Sequence, residues 1–305
     1  MFVSDNLKIS SGYIICCFIW GSTWLAIRLG LDSFEPFISA GLRFSLAAIF
    51  VFILVRYKKI EIKLTRESIK FYTIMGFFSL AIPFALVYWG EQHISSGLTS
   101  IVFAVFPFFV IIFSRIFIKN QTIYSSQIIG IMIGFLGIIL IFSDSLKFEL
   151  SNSVLGIAAV LISSAIQGAI SVYVKIKGEK YHPLGMNLFP LIIAGVTMLI
   201  AAFIFETPAS WKFNLAGIGS VVYLALFGTV IAFSVYYWLI KRINVILLSL
   251  ITFITPIIAV MLGVIILGEK LSSQAIGGSA LVLTGVVFNN LYSIKKYLFE
   301  KRSRI

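Results

Sequence analysis

Long apolar runs separated by short polar breaks set the pattern of this chain. They can be drawn near residues 11–30, 37–56, 70–90, 96–117, 123–143, 153–174, 185–205, 215–240, 245–267 and 274–294. A helix rising about 1.5 Å per residue needs about 20 residues to cross a hydrocarbon core of about 30 Å, and each run is close to that length. Lipid offers no partner to a free backbone N–H or C=O, so such runs fold as helices. The pattern predicts an all-α integral membrane protein with ten transmembrane helices. The first run follows Lys8, but it is too long for a secretory signal and no A-x-A-type cleavage site follows it, so it counts as a span.

The runs also repeat. Phe84, Tyr88, Trp89 and Pro107 recur 149 positions later as Phe233, Tyr237, Trp238 and Pro256, and Ser125-Ser126-Gln127 recurs 147 later as Ser272-Ser273-Gln274. The stretch from Ile19 to Arg28 has its counterpart in Ile166 to Lys175, with Gln167 standing where Trp20 stands. This divides the chain into a first five-helix repeat over 1–148, a second over 149–294 and a basic tail over 295–305. Because five is odd, the second copy must thread the bilayer upside down. Inverted repeats of this kind place a substrate site near the midplane between the halves, as in secondary transporters.

Composition agrees with the bilayer. Apolar residues make up 60% of the chain and charged residues 12%, against about 45–50% and about 25% in soluble domains. The net charge of +12 would suggest nucleic acid if it formed a patch, but its distribution argues otherwise. Nineteen of the 24 Lys and Arg fall on one side of the ten-span drawing, Lys58, Lys59 and Lys63 and the tail from Lys295 to Arg304 among them. Arg28, Lys147, Lys212 and Lys270 fall on the other side, and Arg43 lies within a span. This bias predicts that both termini are cytoplasmic and excludes a nucleic-acid partner. The basic loop from Lys58 to Lys70 and the tail then act as orientation signals and anchors on the anionic inner leaflet.

Candidate chemistry is sparse. Asp32, Glu35, Glu91, Asp144, Glu149, Glu179, Glu206 and Glu269 fall at or beyond span ends, and His93 and His182 sit in short connections. No catalytic set and no metal cluster can be assembled at one depth, so neither an enzyme nor a cofactor is expected. A buried proton relay is not expected either. Cys16 and Cys17 are adjacent in the first span and build neither a disulfide framework nor a metal site. Gly130, Gly134 and Gly137 in the fifth span, and Gly277, Gly278 and Gly285 in the tenth, allow close helix approach. They either join the halves or make a weak homodimer, so a monomer and a weak dimer both remain open.

Arg43 is the one ionisable residue well inside a span. A charge there costs at least about 2.5–3.5 kcal/mol on insertion scales and needs a partner or water. Two readings are open: a counter-ion for a substrate carboxylate, or a side chain that snorkels outward or satisfies helix carbonyls. Pro107 and Pro256 interrupt matched helices and free the carbonyls of Phe103 and Thr252. Ser100 shares a face with the first of these and Ser249 with the second, either lining the site or marking simple kinks. Trp20 and Trp24 share a face of the first span, and Tyr88 and Tyr237 are matched rings of the third and eighth. Such rings offer apolar surface and a cation-attracting face, or serve as belt and core packing. Gln167 either hydrogen-bonds a neighbouring helix or reads the substrate. Trp20, Trp24, Arg43, Tyr88, Ser100, Phe103, Gln167, Tyr237 and Thr252 are therefore the candidate substrate-binding set, with Pro107 and Pro256 as hinges.

Trp20-Gly21-Ser22-Thr23-Trp24, Leu42-Arg43-Phe44 and Leu267-Gly268-Glu269-Lys270-Leu271-Ser272 resemble the EamA-type ten-span permeases of the drug/metabolite transporter superfamily, in order and over essentially the whole chain. The resemblance implies a bacterial inner-membrane permease working by alternating access, typically an exporter of amino acids, related metabolites or toxic organic compounds. Two departures stand out. Many relatives carry a Glu after the fourth span, where Asn120 stands here, and a Trp in the sixth, where Gln167 stands. Gln167 suggests a more polar solute, and Glu269 is read as a loop or helix-cap residue. The alternatives are a carrier for a phosphate-bearing metabolite or nucleotide sugar, and a polytopic membrane enzyme.

Overall fold

The computed structural model describes residues 5–118, 124–146, 152–240, 242, 248 and 251–302. Asn120 and Ser249 lie outside the described residues, as do the side chains of the basic tail. The described residues are helical and include no strand. In chain order the helices are α1 (Asp5–Leu31), α2 (Pro36–Tyr57), α3 (Arg66–Met75), α4 (Ile82–Glu91), α5 (Ser96–Phe103), α6 (Phe106–Phe117), α7 (Ser125–Leu146), α8 (Asn152–Lys177), α9 (Pro183–Phe205), α10 (Leu215–Tyr223), α11 (Ala232–Ile240), α12 (Ile251–Leu267) and α13 (Ser273–Arg302). Seven helical stretches are long and apolar enough to cross a membrane. Three shorter apolar stretches accompany them: Ser125–Ile141, Ile254–Leu267 and Ser273–Phe288. Met132, Phe203, Phe205 and Ile265 are among the large apolar side chains left exposed on the outer surface, which suits contact with lipid.

Local sequence sets the helix starts. Thr65 and Ser68 form a reciprocal capping box on α3, Ser95 accepts from Leu98 N–H on α5, and Asn214 accepts from Gly217 N–H on α10. His182 precedes Pro183 and takes the Leu184 N–H. Proline fits the first turn of a helix because its missing N–H would be unpaired there. Glu206, just past α9, receives the N–H groups of Phe37 and Ile38 at the start of α2. Burial raises its pKa, and those two N–H donors oppose the shift.

Two wide turns interrupt the long helices. A π-helical segment, Gly76–Ala81, joins α3 to α4. Another, Leu224–Ile231, joins α10 to α11 and starts 148 positions later. In the first, Pro83 follows after Ile82 and cannot donate to the turn before it. In the second, the Thr229 hydroxyl donates 2.9 Å to the Leu224 carbonyl five residues back. The prolines predicted as matched kinks behave differently. Pro107 sits in the first turn of α6, after a break at Ala104–Val105 that ends α5, whereas Pro256 lies inside the continuous α12. Ending a helix lets Pro107 escape the clash that Pro256 must absorb within one.

Small residues set the closest approaches. A Cβ on Gly137 would lie 2.5 Å from the Gly278 carbonyl oxygen, and one on Gly285 would lie 2.5 Å from that of Gly130. The glycine stripes thus form a seam between α7 and α13 within the chain. Backbone cannot retreat as a flexible side chain can, so Gly137→Val should destabilise the protein by about 1–3 kcal/mol or more. Thermal melting in detergent checks this: an unchanged midpoint would contradict the packing.

Candidate functional site

The site is built from single faces of helices. On α1, Trp20, Thr23, Trp24 and Ile27 fall at the i, i+3, i+4, i+7 spacing of one face, and all four line a central cavity. On α8, Gln167, Ile170, Ser171 and Val174 do the same, each 147 positions after its counterpart. Four further wall pairs stand 149 apart: Phe84 and Phe233, Val87 and Tyr236, Phe103 and Thr252, Phe106 and Thr255. The cavity measures about 170 Å³. An engineered protein cavity of about 150 Å³ admits benzene, so this one suits a small organic molecule.

Arg43 breaks the pairing. It reaches in from α2, is 2% exposed and lines the cavity, so it does not snorkel outward. Its Nε donates 3.0 Å to Thr229 Oγ1 and its Nη1 donates 3.2 Å to the Tyr88 hydroxyl. The guanidinium lies 4.9 Å from the Phe84 ring centroid and 5.4 Å from that of Phe44. Among the described residues no carboxylate forms an ion pair with it. Two of its five N–H donors are used and the charge is not neutralised. An anion entering the cavity would complete it.

The other predicted residues divide. Trp20 packs on Phe233 and Tyr236, with centroids at 5.5 and 5.2 Å, and its Nε1 donates 3.3 Å to Gly228 O in the π segment. Trp24 packs on Phe103 at 5.5 Å. Gln167 lines the wall, and among the described residues no hydrogen bond holds its side-chain amide, so of its two readings the interhelical bond is not seen. Tyr237 and Thr252 are also in the wall. Tyr88 is not: it is fully buried behind Arg43 and holds it. Ser100 lies off the wall, and its hydroxyl donates 2.7 Å to Gly97 O on its own helix. Ser79, Phe106, Ser171, Tyr236 and Thr255 are wall residues that the sequence reading passed over. For four of them, the i+3 or i+4 neighbours of residues already singled out were the available signal.

One end of the bundle is closed by polar ties. Gly268 takes the left-handed backbone (φ 64°) that ends α12 and turns the chain back. Glu269 then accepts from Ser96 N–H at 2.8 Å, the Ser96 hydroxyl at 2.7 Å and Gly97 N–H at 3.1 Å, capping α5. Arg28 Nη1 donates 2.9 Å to the Glu91 carbonyl. Ser33 and Lys212 tie the α1–α2 connection to the α9–α10 connection through Asn214 Oδ1 and the Ser33 carbonyl. From Arg43 the cavity runs away from these ties, toward Val174, Tyr237 and Leu248 near the opposite end.

Apolar helices enclosing a small cavity with a charged anchor fit the class of membrane transporters, and comparison with known proteins gives the family. The chain belongs to the EamA-like transporter family, whose model matches residues 8–143 and 154–291. It is similar to the uncharacterized transporter YoaV of Bacillus subtilis, at 25% identity over 283 residues covering 93% of this chain and 97% of the relative. It is also similar to the uncharacterized inner membrane transporter YedA of Escherichia coli, at 33% identity over 291 residues covering 93% and 90%. One solved crystal structure, 17% identical, matches in fold with a TM-score of 0.69 over 93% of this chain and 98% of that one. The resemblance drawn from the motifs is thereby borne out.

Proposed function

We propose that the protein is a secondary transporter exporting a small carboxylate-bearing metabolite, an amino acid or related zwitterion, across the bacterial inner membrane by alternating access. The observation that carries this reading is Arg43, a buried cation in the cavity wall with no carboxylate partner among the described residues. Around it, Trp20, Phe84, Phe103 and Phe233 offer apolar surface and ring faces that attract a cationic group, while Gln167, Thr252 and Thr255 supply neutral hydrogen-bonding groups. A phosphate-bearing solute is less well served, because paired cations suit a phosphate and Arg43 is the only Lys or Arg of the wall among the described residues. The ten-span arrangement as two inverted five-helix repeats is part of the proposal. It is supported by the matched π segments, the matched wall pairs and the two matched regions of the family model.

Transport of candidate amino acids into proteoliposomes tests the reading. Trp20→Ala, Gln167→Ala and Tyr237→Phe should each lower transport about tenfold or more, the equivalent of at least one lost contact of about 1.4 kcal/mol. Melting should stay near that of the parent for Gln167→Ala and Tyr237→Phe and fall for Trp20→Ala, which gives up its packing on Phe233 and Tyr236. Phe205→Ala, at an exposed position, serves as the control. Normal transport by the cavity variants would return these residues to a packing role. With both termini cytoplasmic, as the charge bias requires, a C-terminal fluorescent fusion should be bright and an alkaline phosphatase fusion inactive. The reverse pattern would overturn the orientation.

A further inference from the structure

Glu91 is the last residue of α4 and sits at the sealed end, in keeping with the span-end position read from the sequence. It is 0% exposed, and neither carboxyl oxygen has a hydrogen-bond partner among the described residues. The neighbouring Gly90 packs directly on Gly156 and Val160 of α8, a stretch with no ionisable side chain. His93, two residues on, packs against Gly156 with its Nε2 buried and without a hydrogen-bond partner among the described residues. The charged groups that act on Glu91 are Arg28 of α1, Arg43 of α2 and Glu269 after α12, and Tyr88 of its own helix feels it in turn. None of them donates to it. Arg28 spends its described bond on the Glu91 backbone carbonyl, Arg43 is turned to Thr229 and Tyr88, and the Glu269 carboxyl offers acceptors that are occupied with α5. An ionised carboxylate in that position would be buried with no donor, an arrangement that proteins avoid by keeping the group neutral.

We infer that Glu91 is a proton-binding site that links pH to the opening of the sealed end: it holds a proton while the end is closed and passes that proton to water when the end opens. Opening exposes the carboxyl to solvent beside Arg28, where the ionised form is hydrated and attracted. The sign follows. Because the open form binds one proton fewer, raising pH favours opening, by at most about tenfold in the open-to-sealed ratio per pH unit. This inference rests on the transporter reading only in supposing that the end opens, and it is independent of Arg43 as a substrate anchor.

The test is thiol accessibility in full-length protein in proteoliposomes, without substrate. Ile94, 7% exposed at the sealed end, is changed to Cys in a Cys16→Ala, Cys17→Ala background. Its rate with a membrane-impermeant maleimide is divided by that of Gln92→Cys, an exposed position two residues away. The ratio should rise between pH 6 and pH 8 by up to tenfold per unit with Glu91 present, and should stay low and flat with Glu91→Gln, which mimics the protonated side chain. At pH 8 Glu91→Gln should also melt no lower than its parent. An equal pH dependence with and without Glu91→Gln, a flat ratio in the parent, or a lower melting point for Glu91→Gln would overturn the inference. Because labelling needs no substrate, failure here leaves the transport reading standing, and failure of transport leaves this one standing.

Discussion

Glutamine in place of Arg43 should abolish transport of a carboxylate substrate while leaving the protein folded. Among the described residues the guanidinium is the only Lys or Arg charge lining the cavity, and hydrogen bonds to a charged partner are worth about 1.5–3 kcal/mol each. Losing a two-pronged contact of that kind costs about a hundredfold or more in affinity, at about 1.4 kcal/mol per factor of ten. Stability should move the other way. A cation that is 2% exposed and without a carboxylate partner opposes folding through its desolvation, so Arg43→Gln should melt at or above the parent. Arg43→Lys keeps the charge but loses the planar fork that reaches Thr229 and Tyr88 together, and it should fall between the two. Uptake and melting of the three proteins, measured side by side, check this. Loss of transport together with loss of fold would mean that Arg43 serves structure instead.

The second large effect is expected at Glu269. Its carboxylate takes two backbone N–H groups and one hydroxyl at the start of α5, where the helix dipole also favours a negative charge. Alanine would strip that end of its acceptor and leave the N–H groups of Ser96 and Gly97 facing apolar neighbours. Removing a helix cap costs about 0.5–2 kcal/mol, and a charge-assisted one in a water-poor setting stands at or above the upper end of that range. Glu269→Ala should therefore lower the melting point clearly and loosen the sealed end, raising the labelling of a cysteine at Ile94. Glu269→Gln keeps one acceptor and should recover part of both. A melting point unchanged in Glu269→Ala would mean that the cap contributes nothing to closure.

Much of this site was legible in the sequence because the wall is repeated. Trp20 and Gln167 were found as partners from spacing alone, and Phe103 and Thr252 from the prolines that follow them. The cap was legible in Gly268-Glu269, since a glycine that ends one helix can turn an acid back onto the next. The place of Ser100 off the wall was not legible, because a serine on a helical face satisfies its hydroxyl on its own backbone as readily as it faces a cavity. The π segments left no mark, for a wide turn changes the backbone without changing apolar composition. The burial of Glu91 was invisible for a related reason. Position at the end of a span says nothing about which helices close over that end, and the cover comes from α1, α8 and the chain after α12. Arg43 was conspicuous as a charge, but only the fold shows that Thr229 and Tyr88 hold it without neutralising it.

The central claim is that Arg43 binds the carboxylate of a small substrate inside the cavity. Competition against uptake of a transported amino acid by proteoliposomes tests it most directly, using the same compound as free acid and as methyl ester. The parent protein should be inhibited at least about a hundredfold more strongly by the acid than by the ester, reflecting the lost charge-assisted contact. In Arg43→Gln, whatever uptake survives should make no distinction between them. Equal inhibition by acid and ester in the parent, or an unchanged preference for the acid in Arg43→Gln, would contradict the account.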